Sequence, residues 1–184
     1  MKQIENFNVP ENWGDVTITN LLRASEIEDT SMLSLIKLIK VFNPDKDPMK
    51  LSVDKVVEIS REIYSLLTQP PAQTEERDNY SVDGIRYKLA TPETIDFQQF
   101  IDVNALHSSE YTDQLKNMSL IISLLTENRP NGAKEWAAVV SDNVSVETGT
   151  GLLLFFSTGL ANYIKDTQPS LMKGQVTPRT SETR

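Results

Sequence analysis

Apolar residues recur at spacings of three and four along most of this 184-residue chain, and this period is the strongest constraint on its fold. Such spacing places apolar side chains on one face of an α-helix, where neighbouring helices can bury them. The clearest case is the run MLSLIKLIKVF at residues 32–42. The same spacing predicts helices at residues 18–27, 53–67, 96–106, 115–125 and 146–164, so the predicted fold class is mainly α.

Residues that cap helices precede several of these segments. The hydroxyl oxygens of Thr17, Ser52 and Ser145 can accept a hydrogen bond from the first helical turn. Asp96 and Gln99 have the spacing of a capping box. Asparagine, proline and glycine then predict helix ends at residues 43–48, 69–71 and 128–132.

A β-hairpin is predicted at residues 80–89, where apolar and polar residues alternate around Asp83-Gly84. Asp-Gly favours a two-residue turn because both turn residues adopt positive φ. Residues 4–9 alternate in the same way and could add a third strand to the small sheet.

The helical segments before and after the hairpin match element by element. Thr17 and Asp96 are related by an offset of 79 residues, the second helices by 83, and Ser52 and Ser145 by 93. The matched apolar sets are Val16, Ile18, Leu21, Leu22 and Ile27 with Ile95, Phe97, Phe100, Ile101 and Leu106; Leu35, Leu38, Ile39 and Phe42 with Met118, Ile121, Ile122 and Leu125; and Ile59, Ile63 and Leu67 with Leu152, Phe156 and Leu160.

Unrelated three-helix units could also look alike, but here caps, apolar positions and element order agree together. We therefore expect two pseudo-repeated three-helix units joined by the hairpin, with longer loops in the second. Residues 1–70 would form the first unit, 71–91 the linker and hairpin, and 92–164 the second unit. Residues 165–184 are polar and rich in Pro, Ser and Thr, which predicts a flexible tail.

Charge and composition exclude several classes of protein. The net charge is −8, from 26 acidic and 18 basic residues, so the chain repels phosphate backbones, and no basic cluster opposes this. The absence of cysteine excludes disulfides and thiolate metal sites. The longest apolar runs, residues 120–125 and 152–156, are far shorter than the roughly 20 residues of a membrane span. The polar N-terminus also lacks the apolar run of a leader peptide.

Four oxygen-bearing residues between the second and third helices follow an EF-hand-like count. Asn43, Asp45, Asp47 and Asp54 occupy positions 1, 3, 5 and 12 of such a loop. The sixth position is Pro48, which cannot adopt the positive φ that the turn requires. The pattern therefore favours a capped helix–loop–helix over a calcium site.

The other candidates for chemistry are weaker. The sequence TGTG at residues 148–151 lacks the lysine and spacing of a phosphate loop, and favours close helix packing. His107 is the only histidine, and Ser108 and Ser109 follow it. Because the sequence has neither a GxSxG motif nor a group to orient the histidine as a base, we interpret His107 as a surface or capping residue. The remaining acidic groups are typical of solvated faces: Glu26, Glu28, Asp29, Glu75 and Glu76. We expect no catalytic residue, metal or cofactor.

Four aromatic residues are candidates for contact with a partner. Trp13 and Trp136 each precede an apolar helical run, as core or interface anchors do. Phe155 and Phe156 lie in the apolar run of the last helix, where a Phe/Leu face could meet another protein.

Three segments together resemble small proteins encoded by tailed bacteriophages of Bacteroidetes hosts, including crAss-like phages. They are NVPENWGDVT at residues 8–17, the hairpin at 80–89 and DFQQFIDV at 96–103. The resemblance covers residues 8–160 and lies in packing and capping residues rather than in a reactive site. It implies a structural or assembly protein, and it implies no catalytic residue.

These observations lead to a functional hypothesis. We expect a non-enzymatic virion or assembly protein, such as a structural component, capsid cargo or tail-assembly chaperone. Its partners would be other phage structural proteins or a second copy of the chain, with no direct contact to nucleic acid or membrane. It would lie in the virion or the host bacterial cytoplasm. The alternatives are an acidic inhibitor of a host enzyme that mimics nucleic acid and an unrecognised hydrolase.

Overall fold

The computed structural model describes residues 1–71, 74–106 and 111–173. This part of the chain is mainly helical, as the apolar periodicity predicts. It contains two antiparallel hairpins, formed by β1 (Lys2–Ile4) with β2 (Phe7–Val9) and by β3 (Asn79–Val82) with β4 (Ile85–Lys88). The helices are α1 (Ile18–Ser25), α2 (Met32–Phe42), α3 (Val53–Leu67), α4 (Phe97–Leu106), α5 (Tyr111–Leu125), α6 (Ala133–Asn143) and α7 (Val146–Lys173).

The predicted helix caps are confirmed in atomic detail. The side-chain oxygens of Thr17, Ser52 and Ser145 accept hydrogen bonds of 3.2, 3.4 and 3.2 Å from the backbone N–H three residues later. Asp96 and Gln99 form a reciprocal capping box with hydrogen bonds of 2.7 and 3.2 Å. Caps are local interactions, which is why residue spacing alone reveals them.

The predicted hairpin is confirmed, whereas the prediction of a third strand in the same sheet is wrong. Asp83 and Gly84 have φ values of 50° and 77° and connect β3 to β4. Glu5 and Asn6 have φ values of 49° and 66°, so β1 turns back on β2 to make a separate hairpin. Asparagine tolerates positive φ, which permits this turn without glycine. Residues 4–9 therefore add no strand to the second hairpin.

The second half differs from the prediction in two further ways. The segment around Trp136 is a full helix, α6, so four helices follow β4 and the three-helix unit is not confirmed. The buried residues of α6 lie against α5 and include Trp136, Ala137 and Val140. Helix α7 continues to Lys173, beyond its predicted end near residue 164. Of the tail predicted to be flexible, residues 174–184 lie outside the described residues.

Two hydrophobic clusters form the core, one in each half of the chain. The first is built on α2, α3 and the first hairpin: Phe7, Val9, Trp13, Val16, Ala24, Leu38, Ile39, Phe42, Val56, Ile59, Ile63 and Val146. The second is built on α5, α6, α7 and the second hairpin: Ile18, Tyr80, Val82, Leu89, Val103, Met118, Ile121, Ile122, Leu125, Trp136, Val140, Val144, Leu152 and Phe156.

A backbone bridge at two helix N-termini joins these clusters. The N–H of Ile18 donates to the carbonyl oxygen of Val144 at 3.2 Å, and the N–H of Val146 donates to that of Val16 at 2.8 Å. Thr17 and Ser145, the two capping residues, lie opposite each other in this bridge. As a result, Ile18 at the start of α1 belongs to the second cluster, and Val146 at the start of α7 belongs to the first.

Each hairpin is also tied to the residues that follow a helix. The side-chain amide of Asn43, after α2, accepts from the N–H of Asn8 at 2.7 Å and donates to its carbonyl oxygen at 2.9 Å. After α5, the backbone at Thr126 bridges to Leu89 beyond β4. These contacts fix the position of each hairpin relative to its helices.

Close packing around α7 depends on its glycines, which confirms the interpretation of the TGTG sequence. A Cβ added at Gly149 would lie 2.5 Å from Met118 Sδ, and one added at Gly151 would lie 2.5 Å from the carbonyl oxygen of Glu75. A Cβ at Gly159 would approach Pro92 at 3.3 Å. The glycines therefore let α5 and two loops approach the backbone of α7.

Gly151→Ala is expected to destabilise the protein by about 1 kcal/mol. Overpacking against a backbone atom costs about 1–3 kcal/mol, which exceeds the roughly 1 kcal/mol that alanine gains over glycine in a helix. The Glu75 carbonyl cannot move freely, because the nearby N–H of Arg77 donates to the carbonyl oxygen of Gly151 at 3.1 Å. Urea denaturation would measure the change.

Gly149→Ala is the matched control for this substitution. Its new methyl group meets the flexible Met118 side chain, which can rearrange at small cost. We expect unchanged or slightly higher stability. Equal stability of the two variants would contradict the proposed role of Gly151.

No helix in the described ranges combines the length and the apolar character needed to cross a lipid bilayer.

Candidate binding groove

Two of the four residues with an EF-hand-like count, Asn43 and Asp47, have structural roles. Asn43 is buried, and besides binding Asn8 its amide nitrogen donates to the carbonyl oxygen of Ile39 at 3.1 Å. Asp47 caps a 3₁₀ turn, Pro48–Lys50, by accepting from the N–H of Met49 at 3.1 Å. No cluster of three metal-binding side chains occurs within the described ranges. The capped loop between α2 and α3 is confirmed by the caps at Asp47 and Ser52.

The acidic candidates lie in solvent. Glu26, Glu28, Glu75 and Glu76 are exposed. Asp29 precedes α2, where hydrogen bonds from Ser34 and Ser31 hold the pKa of its carboxyl group at about 2. Such a group stays ionised near neutral pH and stabilises the helix start, so it is unsuited to proton transfer. His107 lies outside the described residues.

Trp136 belongs to a chain of buried hydrogen bonds. Its Nε1–H donates to Tyr80 Oη at 2.8 Å, and Tyr80 Oη lies 2.7 Å from Thr126 Oγ1. Because Thr126 Oγ1 donates to the carbonyl oxygen of Ile122 at 2.7 Å, the Tyr80 hydroxyl must donate to Thr126. Burial raises the pKa of Tyr80, so the hydroxyl keeps the proton that this chain requires.

An apolar groove of about 710 Å³ lies between the two halves of the molecule. Its volume is typical of sites that enclose a ligand or a partner's side chains. Five helices and the 3₁₀ turn at Trp13 form it. Its described lining residues are Trp13, Leu21, Leu67, Thr68, Gln69, Pro70, Pro71, Val103, Met118, Ile121, Thr150, Leu153, Leu154, Phe156 and Ser157. We call it the inter-half groove.

A smaller apolar cleft of about 240 Å³ adjoins the inter-half groove between α4 and α7. The two share Val103, Phe156 and Ser157, so they form one continuous depression. The other described lining residues of this α4–α7 cleft are Phe100, Asn104, Leu160 and Ala161.

The groove brings together two of the four aromatic residues selected from the sequence. Trp13 and Phe156 both line it, although each side chain is mostly buried, at 8% and 5% exposure. Phe155 is half-buried outside the described lining of either depression. Trp136 is 4% exposed and is held in the core by Tyr80, so as folded it offers almost no surface to a partner. Partner contact through these residues stays a prediction.

The described walls of the two depressions are uncharged. The described lining of the groove and the cleft contains no Asp, Glu, Lys or Arg. Residues 148–164 of α7 carry no charged side chain either, between Glu147 and Lys165. In a chain of net charge −8, this neutral strip is a local exception.

The exposed side of α4 was missed by the sequence analysis. Phe97 and Ile101 were assigned to its buried face, yet they are 78% and 43% exposed, while Val103 is buried. Phe97 is the most exposed large apolar side chain in the described part of the chain. The sequence contains a signal for this exposure, because apolar residues occupy both sides of α4. A helix at a protein surface needs apolar residues only on the side that faces the core.

No family model matches this chain, and no curated protein or solved structure shows significant similarity to it. The resemblance to phage proteins therefore stays a prediction. The arrangement described here can hold apolar groups through shape and desolvation. Its described lining residues include no titratable group that could transfer a proton or bind an ion.

Proposed function

We propose that this chain is a non-enzymatic bacteriophage protein that acts through protein–protein contact, as a virion component, capsid cargo or tail-assembly chaperone. The observation that carries the proposal is the neutral, apolar groove beside the exposed residues Phe97, Ile101 and Leu154. Contiguous apolar surface that is exposed to solvent is characteristic of sites of macromolecular contact.

The chemistry of the groove supports contact rather than catalysis. The central part of a protein interface is depleted of charged residues and enriched in aromatic residues and methionine. Here the walls carry Trp13, Phe156 and Met118 and no described charged side chain. A partner that fills the groove would gain free energy from burying these side chains without desolvating a charge.

The phage setting rests on the resemblance of residues 8–17, 80–89 and 96–103. Under this proposal the protein lies in the virion or the host bacterial cytoplasm, and its partners are phage structural proteins. It would not contact nucleic acid directly, which agrees with its net charge of −8.

Quantitative mass spectrometry of purified particles from a phage that encodes this chain tests the proposal. A virion component or cargo protein would be present at a fixed copy number per particle. A chaperone would be absent from particles but would co-purify with a virion protein during infection, and Leu154→Glu in the groove wall would weaken that binding. Absence from both fractions would overturn the proposal.

The alternative of an acidic inhibitor makes a different prediction about salt. A nucleic-acid mimic binds through carboxylates, so its affinity would fall steeply as salt rises from 50 to 200 mM. Binding through the neutral groove would change little over that range. Titration of any identified partner at both salt concentrations separates the two hypotheses.

We propose also that the two halves arose by duplication of one unit. Each half has a hairpin with a two-residue turn, two helices, a further helical element and a longer helix, in the same order. Within the described residues, only the first half has an additional 3₁₀ turn, Trp13–Asp15, after its hairpin. The 3₁₀ turn Pro48–Lys50 then corresponds to α6, and α6 accounts for much of the growth in offset along the chain. An experimental structure in which residues 2–67 and 79–160 fail to superpose would contradict this.

A further inference from the structure

We propose that the partner seated at the α4–α7 cleft is a second copy of this chain, so that the protein forms a weak two-fold dimer through α4. This inference rests on the proposed function, because it names the occupant of the same surface. Two observations carry it, namely the placement of a projecting side chain on the same side of α4 as an apolar cleft, and the charge of the face.

The first observation is that the projection and the cleft lie on one side of α4, because Phe97 precedes the cleft residues Phe100 and Asn104 by three and seven positions. Phe97 projects from α4 at 78% exposure, and the cleft lies on the side of α4 that carries Phe100 and Val103. A two-fold contact pairs one patch with itself, so it requires both features on the same surface. An apolar cavity of about 150 Å³ is enough to bind benzene. The cleft of about 240 Å³ can therefore accept the phenyl ring of Phe97 from the other copy.

The second observation is the charge of the face. Two copies that each carry a net charge of −8 repel one another, and they can approach closely only where charge is absent. The neutral stretch of α7, residues 148–164, provides such a face next to α4. On α4 itself the only charged residue is Asp102, whose carboxylate accepts a hydrogen bond from Gln98 at 2.8 Å. The exposed acidic residues Glu93 and Asp96 lie just before Phe97, so the contact must keep their carboxylates in solvent at its edge.

The size of the face, taken from helix dimensions, sets the expected affinity. The 10 residues of α4 span about 15 Å. Two adjacent helices are about 20 Å wide, which gives a face of roughly 300 Å² per copy and roughly 600 Å² in total. Interfaces below about 1,200 Å² are weak and transient. We therefore expect a dimer that forms at micromolar or higher concentration rather than an obligate one.

Sedimentation velocity of the full chain, from about 1 to about 300 μM, tests this inference. The weight-average mass of the wild-type chain should rise from 20.7 kDa towards twice that value. Phe97→Glu should stay monomeric at every concentration, because a carboxylate cannot enter the apolar cleft without a counter-charge. Circular dichroism and a thermal melt would show that the variant is folded, as its 78% exposure predicts.

Leu33→Glu is the matched control. Leu33 lies on α2 and is 60% exposed, so the substitution adds the same charge to an exposed apolar site away from α4. This variant should dimerise like the wild-type chain. A wild-type monomer at 300 μM, or a dimer that survives Phe97→Glu, would overturn the inference and assign the cleft to a different occupant. Either result would leave the proposed function intact, because that proposal is tested in particles and assembly complexes.

Discussion

Replacing Trp136 with alanine is expected to destabilise the protein by about 3–5 kcal/mol, the usual cost of removing a large buried aromatic side chain. Trp136 is 4% exposed and lies in the second cluster, with its ring 4.8 Å from that of Tyr87. The substitution removes this packing, leaves a cavity and breaks the hydrogen bond to Tyr80. For a protein of this size the melting temperature should fall by roughly 6–20 °C.

A double-mutant cycle separates the hydrogen bond from the packing. Tyr80→Phe leaves the Nε1–H of Trp136 without its acceptor and should cost about 1–3 kcal/mol. Trp136→Phe removes the donor, and the pair of substitutions should cost less than the sum of the single changes. Additive effects would show that the hydrogen bond contributes little, and a loss below 1 kcal/mol for Trp136→Ala would contradict the packing described here.

Ile18→Ala is expected to cost about 2–5 kcal/mol and to destabilise both halves together. Ile18 is 1% exposed and belongs to the second cluster although it lies in the first half of the chain. Its backbone N–H donates one of the two hydrogen bonds that hold the starts of α1 and α7 together. Loss of its side chain therefore weakens the contact between halves as well as the core of the second.

The two tryptophans allow this coupling to be measured. The chain has only Trp13 and Trp136, and one lies in each cluster. Urea denaturation can be monitored by tryptophan fluorescence in two variants. In Trp13→Phe the remaining Trp136 reports on the second cluster, and in Trp136→Phe the remaining Trp13 reports on the first. In each background, Ile18→Ala should lower the transition midpoint. A first-cluster signal that keeps its midpoint would contradict the coupling, and Leu33→Ala, at an exposed site, should change neither.

The sequence predicts the local part of this structure well. Helix caps at Thr17, Ser52 and Ser145, and the Asp83-Gly84 turn, depend on residues within a few positions of one another. The Glu5-Asn6 turn escaped prediction because it lacks the glycine that usually marks such turns. Helix α6 was not predicted because its apolar residues form one short run, Trp136 to Val140, in an otherwise polar segment.

The groove could not be predicted, because it depends on how distant elements come together. Its walls combine Leu21 of α1, Leu67 at the end of α3, Val103 of α4 and Leu153 of α7. In the sequence, each of these residues is part of an ordinary apolar helix face. Only the packed arrangement shows which faces are filled by neighbours and which remain open, as at Phe97.

The three glycines that allow close packing around α7 have a further consequence for the order of folding. Each costs about 1 kcal/mol of helix stability relative to alanine, so residues 149–159 form a helix poorly by themselves. Helix α7 therefore depends on α5 and the adjoining loops to become ordered, and it leaves the ribosome after the six other helices of the described residues. Because α7 supplies one wall of the groove and of the cleft, a nascent chain has no such surface until its other helices are in place.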